Sequence, residues 1–470
     1  MKHMNLLGLI LISAMSLGSC SEPAATDKSA AAQTAAPVYT NGVTDANKGM
    51  KTGPIEVKGT LAPKNFKKMY LYNLYGKTAT KMDSCAITDG NWNFGTKKYE
   101  QGIYQIGVAD ANVTTIILNP AEPLVEIGFR AGKLDGSMYA IASKENEAWA
   151  KYIPQEVALL KAIKDARVSA NKGTMKAEFE KQAIAKELEL SELQAKMIGE
   201  YPNTHFAKLL TWKQEPERTD MAKYWDNIDF TDRSLLHGIV MSDRIQNFMR
   251  SFSKGQESGF INCVAAVAEK GKADDVVLEF VLNQMLVGFY ESGMENICTF
   301  IIDNYVNGDS CGDADLSNII KSTAESIQKL SVGNTPPNIQ LSALDNSQVD
   351  LYKLAAKNKY TLVMFWSSWC EHCKGEAPEV KAAYDQWHSK GFEILGVSVD
   401  NVSQAWEQAV KERGFTFPNV CGMKLWESKV AKDYRVTKTP AFYLIDSTGK
   451  IVLKPKGIRE VQAFLAKNIK

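Results

Sequence analysis

The apolar run Thr361-Leu362-Val363-Met364-Phe365-Trp366, followed at once by Ser367-Ser368-Trp369-Cys370-Glu371-His372-Cys373, constrains this chain more than any other stretch. An unbroken series of β-branched, aliphatic and aromatic residues predicts a central strand of a parallel sheet, covered on both faces. Two cysteines with two residues between them, where that strand gives way to a helix, read as a redox couple. Cys370 would stand exposed at the helix N-terminus. There, unpaired backbone N–H groups and the helix dipole favour the thiolate, which is the reactive form.

The pattern around this strand is α/β. Gly333-Asn334-Thr335-Pro336-Pro337 marks a boundary, after which Asn338 to Leu341 and Val349 to Leu351 predict a hairpin. The helix holding both cysteines is expected to reach about Lys390. A second buried strand, Phe392 to Asp400, and a helix over 403–413 follow. Val436 to Asp446 leads into a Ser447-Thr448-Gly449-Lys450 turn, Ile451-Val452-Leu453 and a last helix. Strands alternating with helices and closing on a hairpin predict a mixed sheet over 333–470.

Residues 333–470 resemble the thioredoxin-fold module of the TlpA/ResA-like envelope oxidoreductases. The resemblance rests on Phe365 to Cys373, Glu376-Ala377-Pro378, Thr439-Pro440 ahead of a strand ending in Ile445-Asp446, and the opening Thr335-Pro336-Pro337. It implies Cys370 as nucleophile and Cys373, one turn on, as the resolving thiol that releases the substrate. His372, when charged, would stabilise the thiolate and Glu371 would oppose it. Glu376 is implied to tune the thiols and relay a proton; a solvated helix carboxylate is the alternative. Met364 stands where thioredoxins carry a buried aspartate, so another proton acceptor is needed and Glu376 is available. Thr439-Pro440 is implied to be a cis-proline loop facing the cysteines and offering the Thr439 backbone to an extended substrate. Trp366 reads as core, Trp369 as an exposed rim suited to a peptide or apolar partner. Pro378 would kink the active-site helix. Cys421, in a loop after an added strand, is either a third redox thiol or an unpaired structural cysteine. No cofactor beyond a Cys370–Cys373 disulfide is implied.

The other end of the chain suggests where such chemistry takes place. Lys2 and the short apolar run Leu6 to Leu17 lead to Leu17-Gly18-Ser19-Cys20, which resembles a bacterial lipobox. Residues 1–20 then form a signal peptide, and Cys20 becomes the lipidated first residue of a membrane-anchored protein. An ordinary secretory signal containing a cysteine is the alternative. Either reading takes the chain out of the cytoplasm, and lipidation would hold it at the cell envelope. Residues 21–53, rich in Ala, Ser, Thr, Asn and Gly, predict a flexible linker.

Between linker and C-terminal module the periodicity changes once. Short strands with turn signals over 54–135, among them the hairpin signal Asp89-Gly90, predict a small antiparallel β-sandwich of unassigned function. Cys85 reads there as a small buried residue. Over 140–330 apolar residues recur at helical spacing, with helices expected from Glu145 to Asp165, up to Met197, and around 232–252, 259–271, 274–290 and 293–306. His205 and His237 are isolated from any metal-ligand partner. Cys263, Cys298 and Cys311 fall in this region, where a structural disulfide between two of them stays open.

The formal net charge of +1 gives no sign of nucleic acid as a partner. Of eight cysteines, lipidation of Cys20 and pairing of Cys370 with Cys373 leave an odd five. A zinc half-site lacks its second cysteine or histidine pair. A peroxiredoxin would need proline at Val363. A partner-binding lipoprotein with a structural Cys370–Cys373 pair remains a rival of another class. The expectation is thus a multidomain chain: a β-sandwich, a helical middle domain and a C-terminal α/β thioredoxin fold. Its expected function is a thiol-disulfide oxidoreductase, reducing disulfides of protein substrates with electrons from a membrane donor. A disulfide oxidase or isomerase with the same residues is the alternative.

Overall fold

The computed structural model describes residues 51–62, 65–109, 112–172, 175–214, 219–307 and 318–469. The signal peptide, the lipobox Cys20, the linker up to residue 50 and Cys311 lie outside them. The chain divides into two compact units, the first ending at Val281 and the second starting at Leu282.

Eight strands open the first unit: β1 (Thr52–Leu61), β2 (Lys68–Tyr75), β3 (Thr78–Thr88), β4 (Asn91–Glu100), β5 (Gly102–Ala109), β6 (Asn112–Leu118), β7 (Leu124–Phe129) and β8 (Met138–Ala142). They are hydrogen-bonded in the order β6-β5-β2-β3-β4-β1-β7-β8. Neighbours run antiparallel except β1 and β7, which pair in parallel from Glu56 with Leu124 to Leu61 with Phe129. The expected wholly antiparallel region is corrected at that pair. The connection between β1 and β7 spans five strands, so no local turn dictates its direction. Asp89 and Gly90 both have positive φ, as a tight hairpin between β3 and β4 requires.

Helices follow as α1 (Lys144–Lys172), α2 (Lys176–Glu200), α3 (His205–Lys213), α4 (Val240–Phe252), α5 (Glu257–Gly271) and α6 (Asp275–Glu291). The helix expected over 232–252 is interrupted: a short 3-10 turn at Arg233–Leu236 precedes α4, and Gly238 between them has φ +132°. Buried Glu145 ties strands to helices. Its carboxylate accepts Asn119 Nδ2 at 2.7 Å and the first N–H groups of α3, from His205 at 2.7 Å and Phe206 at 2.8 Å. It thereby satisfies donors that a helix start leaves open.

The second unit continues with α7 (Glu295–Ile301), α8 (Asn318–Lys329), the antiparallel pair β9 (Gln340–Ser342) and β10 (Gln348–Asp350), and α9 (Leu351–Ala355). Next come β11 (Tyr360–Trp366), α10 (Glu371–Trp387), β12 (Phe392–Ser398), α11 (Ser403–Glu412), β13 (Asn419–Cys421), α12 (Lys429–Asp433), β14 (Ala441–Asp446), β15 (Ile451–Leu453) and α13 (Ile458–Asn468). The sheet order is β13-β12-β11-β14-β15, with β11, β12 and β13 parallel and β14 and β15 antiparallel. β11 is central, and Thr361 to Trp366 are all buried because helices cover both faces. Each fully buried large side chain, such as Phe365, contributes roughly 1.5–3 kcal/mol. Pro378 lies inside α10 without ending it. Cys421 lies within β13 rather than in a loop after it.

Candidate active site

β11 ends at Trp366 and α10 begins at Glu371, so Cys370 is the N-cap of α10. Its sulfur accepts the Cys373 N–H at 3.1 Å, the bond that a Ser or Asp oxygen makes at other helix starts. The same sulfur donates to the Thr439 carbonyl at 3.3 Å. The Thr439–Pro440 bond is cis, and the Thr439 hydroxyl lies 3.5 Å from the Ser367 hydroxyl. This loop covers Cys370, which is 7 % exposed rather than open to solvent as the sequence suggested. Cys373 is also buried. Burial first, and the neighbouring Cys370 thiol second, push its pKa up to about 12.

The remaining expected residues divide by surroundings. Trp366 is fully buried, whereas Trp369 is 53 % exposed and meets the Trp426 ring edge-on at 6.0 Å. Glu371 and His372 are exposed on the first turn of α10. Glu376 is half-buried, and its Oε1 accepts the Ile458 N–H at 2.6 Å, capping α13. Cys421 donates to the Asp400 carbonyl at 3.3 Å, and burial pushes its thiol up. In the first unit, His205 is fully buried, which drives its pKa down to about 3 and keeps the ring neutral. His237 lies 3.0 Å from Glu100 and 2.9 Å from Asn73. Among the described residues no group of three His, Cys, Asp or Glu side chains could hold a metal ion. No described helix is long and apolar enough to cross a membrane.

Sequence reasoning missed the residues that hold the loop before Cys370. Asp400, just past β12, is 2 % exposed and accepts the Ser368 N–H at 3.0 Å and the Ser368 hydroxyl at 2.7 Å. Arg413, just past α11, donates to the carbonyls of Ser367 and Ser368. A signal for Asp400 existed: it follows by two residues the buried strand that pairs in parallel with β11, where strand C-termini gather. Nothing local marked Arg413.

Residues 332–454 match the model of the AhpC/TSA family. A thiol-disulfide oxidoreductase ResA of Bacillus anthracis is 30% identical over 125 residues, covering 27% of this chain and 69% of that protein. The ResA of Bacillus subtilis (strain 168) is 32% identical over 125 residues, covering 27% and 67%. Among solved structures, the thioredoxin domain of a thiol-disulfide oxidoreductase from Bacteroides vulgatus is 30% identical. It covers 30% of this chain and 99% of its own, with a TM-score of 0.28. Cys370 and Cys373 fall within residues 332–454, and by its identity to the two ResA proteins the chain belongs to the ResA family of thioredoxin-like thiol-disulfide oxidoreductases.

Proposed function

We propose that this protein is a lipid-anchored, envelope-facing enzyme that reduces disulfides of protein substrates through Cys370 and Cys373. The observation that carries the reading is the Cys370 sulfur at the N-cap of α10, accepting the Cys373 N–H. A sulfur that already receives a helix N–H is prepared to carry negative charge.

The chemistry then runs in two exchanges. The Cys370 thiolate attacks one sulfur of the substrate disulfide; a mixed disulfide forms, and the first substrate thiolate leaves and takes a proton. Cys373 loses its proton and attacks the Cys370 sulfur. The Cys370–Cys373 disulfide forms, and the second substrate thiolate leaves. Two electrons pass from the dithiol to the substrate. Cys373, held protonated by burial, does not compete as the first nucleophile. Its raised pKa also supports the direction: a dithiol without a stabilised second thiolate gives up electrons more readily. An oxidised couple must be re-reduced, and a membrane thiol donor is the partner we assign.

Supporting parts have their own readings. Trp369 beside Trp426 offers an apolar rim to a peptide near its cystine. Thr439 and Pro440 line the nucleophile, and His372 and Glu371 bias its charge in opposite senses. Glu376, one turn beyond Cys373, is the half-buried carboxylate proposed to take a thiol proton besides capping α13. Lipidation at Cys20 rests on the leader preceding it. The strand region is read as a sandwich because one core joins residues from β6 with Met138 of β8, at opposite ends of the strand order, while β3 and β4 pair only at Ile87–Trp92 and Thr88–Asn91. A flat sheet would hold those ends several strand spacings apart. This region and the helices would select partners.

Capture with a Cys373→Ser variant tests the reading, because the mixed disulfide can no longer resolve. Envelope proteins should accumulate on Cys370 and be released by reductant. Absence of such adducts, with the variant folded, would reject the exchange mechanism and favour a partner-binding lipoprotein.

A further inference from the structure

The segment Ser367–Ser368, between β11 and the nucleophile, is gripped from two sides by opposite charges. Arg413 donates from one guanidinium nitrogen to Ser367 O at 3.1 Å and from another to Ser368 O at 2.8 Å. Its guanidinium lies 4.8 Å from the centroid of the buried Trp366 ring. From another element, Asp400 accepts the Ser368 N–H and hydroxyl, and the Ser398 hydroxyl at 2.6 Å. Three donors thus converge on the Asp400 carboxyl group, which accepts from each of them. The Ser367 carbonyl that Arg413 holds also accepts the Cys370 N–H at 3.4 Å. Both side chains therefore hold the one short stretch of backbone that leads to the nucleophile.

We infer that Arg413 and Asp400 are positioning residues of the redox couple, holding the loop before Cys370 and setting its tendency to give up electrons by the balance of their charges. The inference rests on the reading of Cys370 and Cys373 as the working pair. A cation near the sulfur stabilises the thiolate and hence the dithiol form, which makes the couple more oxidising; an anion acts in the opposite sense. The loop-holding role is shared, but the electrostatic roles are opposed. That opposition separates the inference from a purely structural role. If the two residues served packing alone, removing either would loosen the same loop and move the equilibrium in the same direction or not at all.

Glutathione equilibration of the full-length protein, followed by quantitative alkylation and mass spectrometry of Cys370 and Cys373, provides the test. Arg413→Gln should shift the equilibrium constant about tenfold toward the disulfide, ~30 mV lower in potential. Asp400→Asn should shift it the opposite way. Arg413→Lys, which keeps the charge and loses the two-pronged grip, should stay within about twofold of the unsubstituted protein. Should Asp400→Asn fail to fold, the difference between Arg413→Gln and Arg413→Lys decides alone, since both lose the grip and one keeps the charge. An unsubstituted protein that shows no Cys370–Cys373 equilibrium overturns the proposed function and this inference with it. An unsubstituted protein that equilibrates, with variants that move together or stay still, overturns the inference alone.

Discussion

Two buried cysteines of the second unit show how little burial says about a thiol. Cys298 lies inside α7, 2 % exposed, and its sulfur donates to the Leu286 carbonyl at 3.7 Å. Burial pushes its pKa up to about 12. Cys370 is 7 % exposed, nearly as well covered, but it precedes α10 instead of lying within a helix. Its sulfur therefore meets a backbone N–H that the first turn leaves unpaired. On the proposed function, placement along a helix, more than depth, separates a thiol that packs from the one assigned to react.

The sharpest way to break this comparison is to exchange the two sulfurs for oxygen in turn. Cys370→Ser should abolish reduction of a model protein disulfide, a loss of at least about a thousandfold, because the nucleophile is gone. Cys298→Ser should leave that rate unchanged while costing about 1–3 kcal/mol of stability, since a hydroxyl replaces a sulfur in an apolar site. Turnover assays and urea denaturation read the two effects separately.

A second prediction uses pH. The raised thiol pKa values of Cys373 and Cys298, both about 12, and of Cys263, about 11, mean that the folded chain holds these protons more tightly than the unfolded chain, where a thiol titrates near about 8.5. Their contribution to stability is fully present below about pH 8.5 and falls as pH rises toward the folded values. The reduced protein should lose stability between roughly pH 9 and 11. Cys263→Ala should flatten that slope, measured as urea midpoints across the range.

Smaller effects sharpen the helix-end argument. Glu376→Ala should cost about 1 kcal/mol by removing the cap on Ile458 N–H. If Glu376 also relays a proton, Glu376→Gln should slow exchange beyond what its stability loss explains. The exposed Arg459–Glu379 pair, by contrast, should give no measurable change in unfolding midpoint on Arg459→Ala.

What the sequence disclosed about this site follows the range of each signal. The β11 run and the cysteine spacing are local patterns, and each was legible; Thr439-Pro440 was legible only through the family resemblance. Cys370 being covered was not, because the Thr439 loop that covers it lies 69 residues away in the chain. The same distance problem hid Arg413, 46 residues from Ser367. Asp400 was within reach from its position just past a strand parallel to β11, but Met364 at the usual aspartate position pointed to the nearer carboxylate, Glu376. In the first unit, alternating strand patterns were readable, while the parallel pairing of β1 with β7 depends on contacts between distant segments that no turn residue announces. The helix break at Gly238 was marked by glycine alone, a weak signal against the strong helical period around it.

The most direct measurement of the central claim is the reduction potential of the Cys370–Cys373 couple in the full-length protein, equilibrated against glutathione or dithiothreitol and read by Trp fluorescence. A single two-electron transition near that of thioredoxin, ~−270 mV or lower, is the predicted result. A value near that of DsbA, ~−120 mV, would contradict the reductase, and no transition at all would contradict the couple itself.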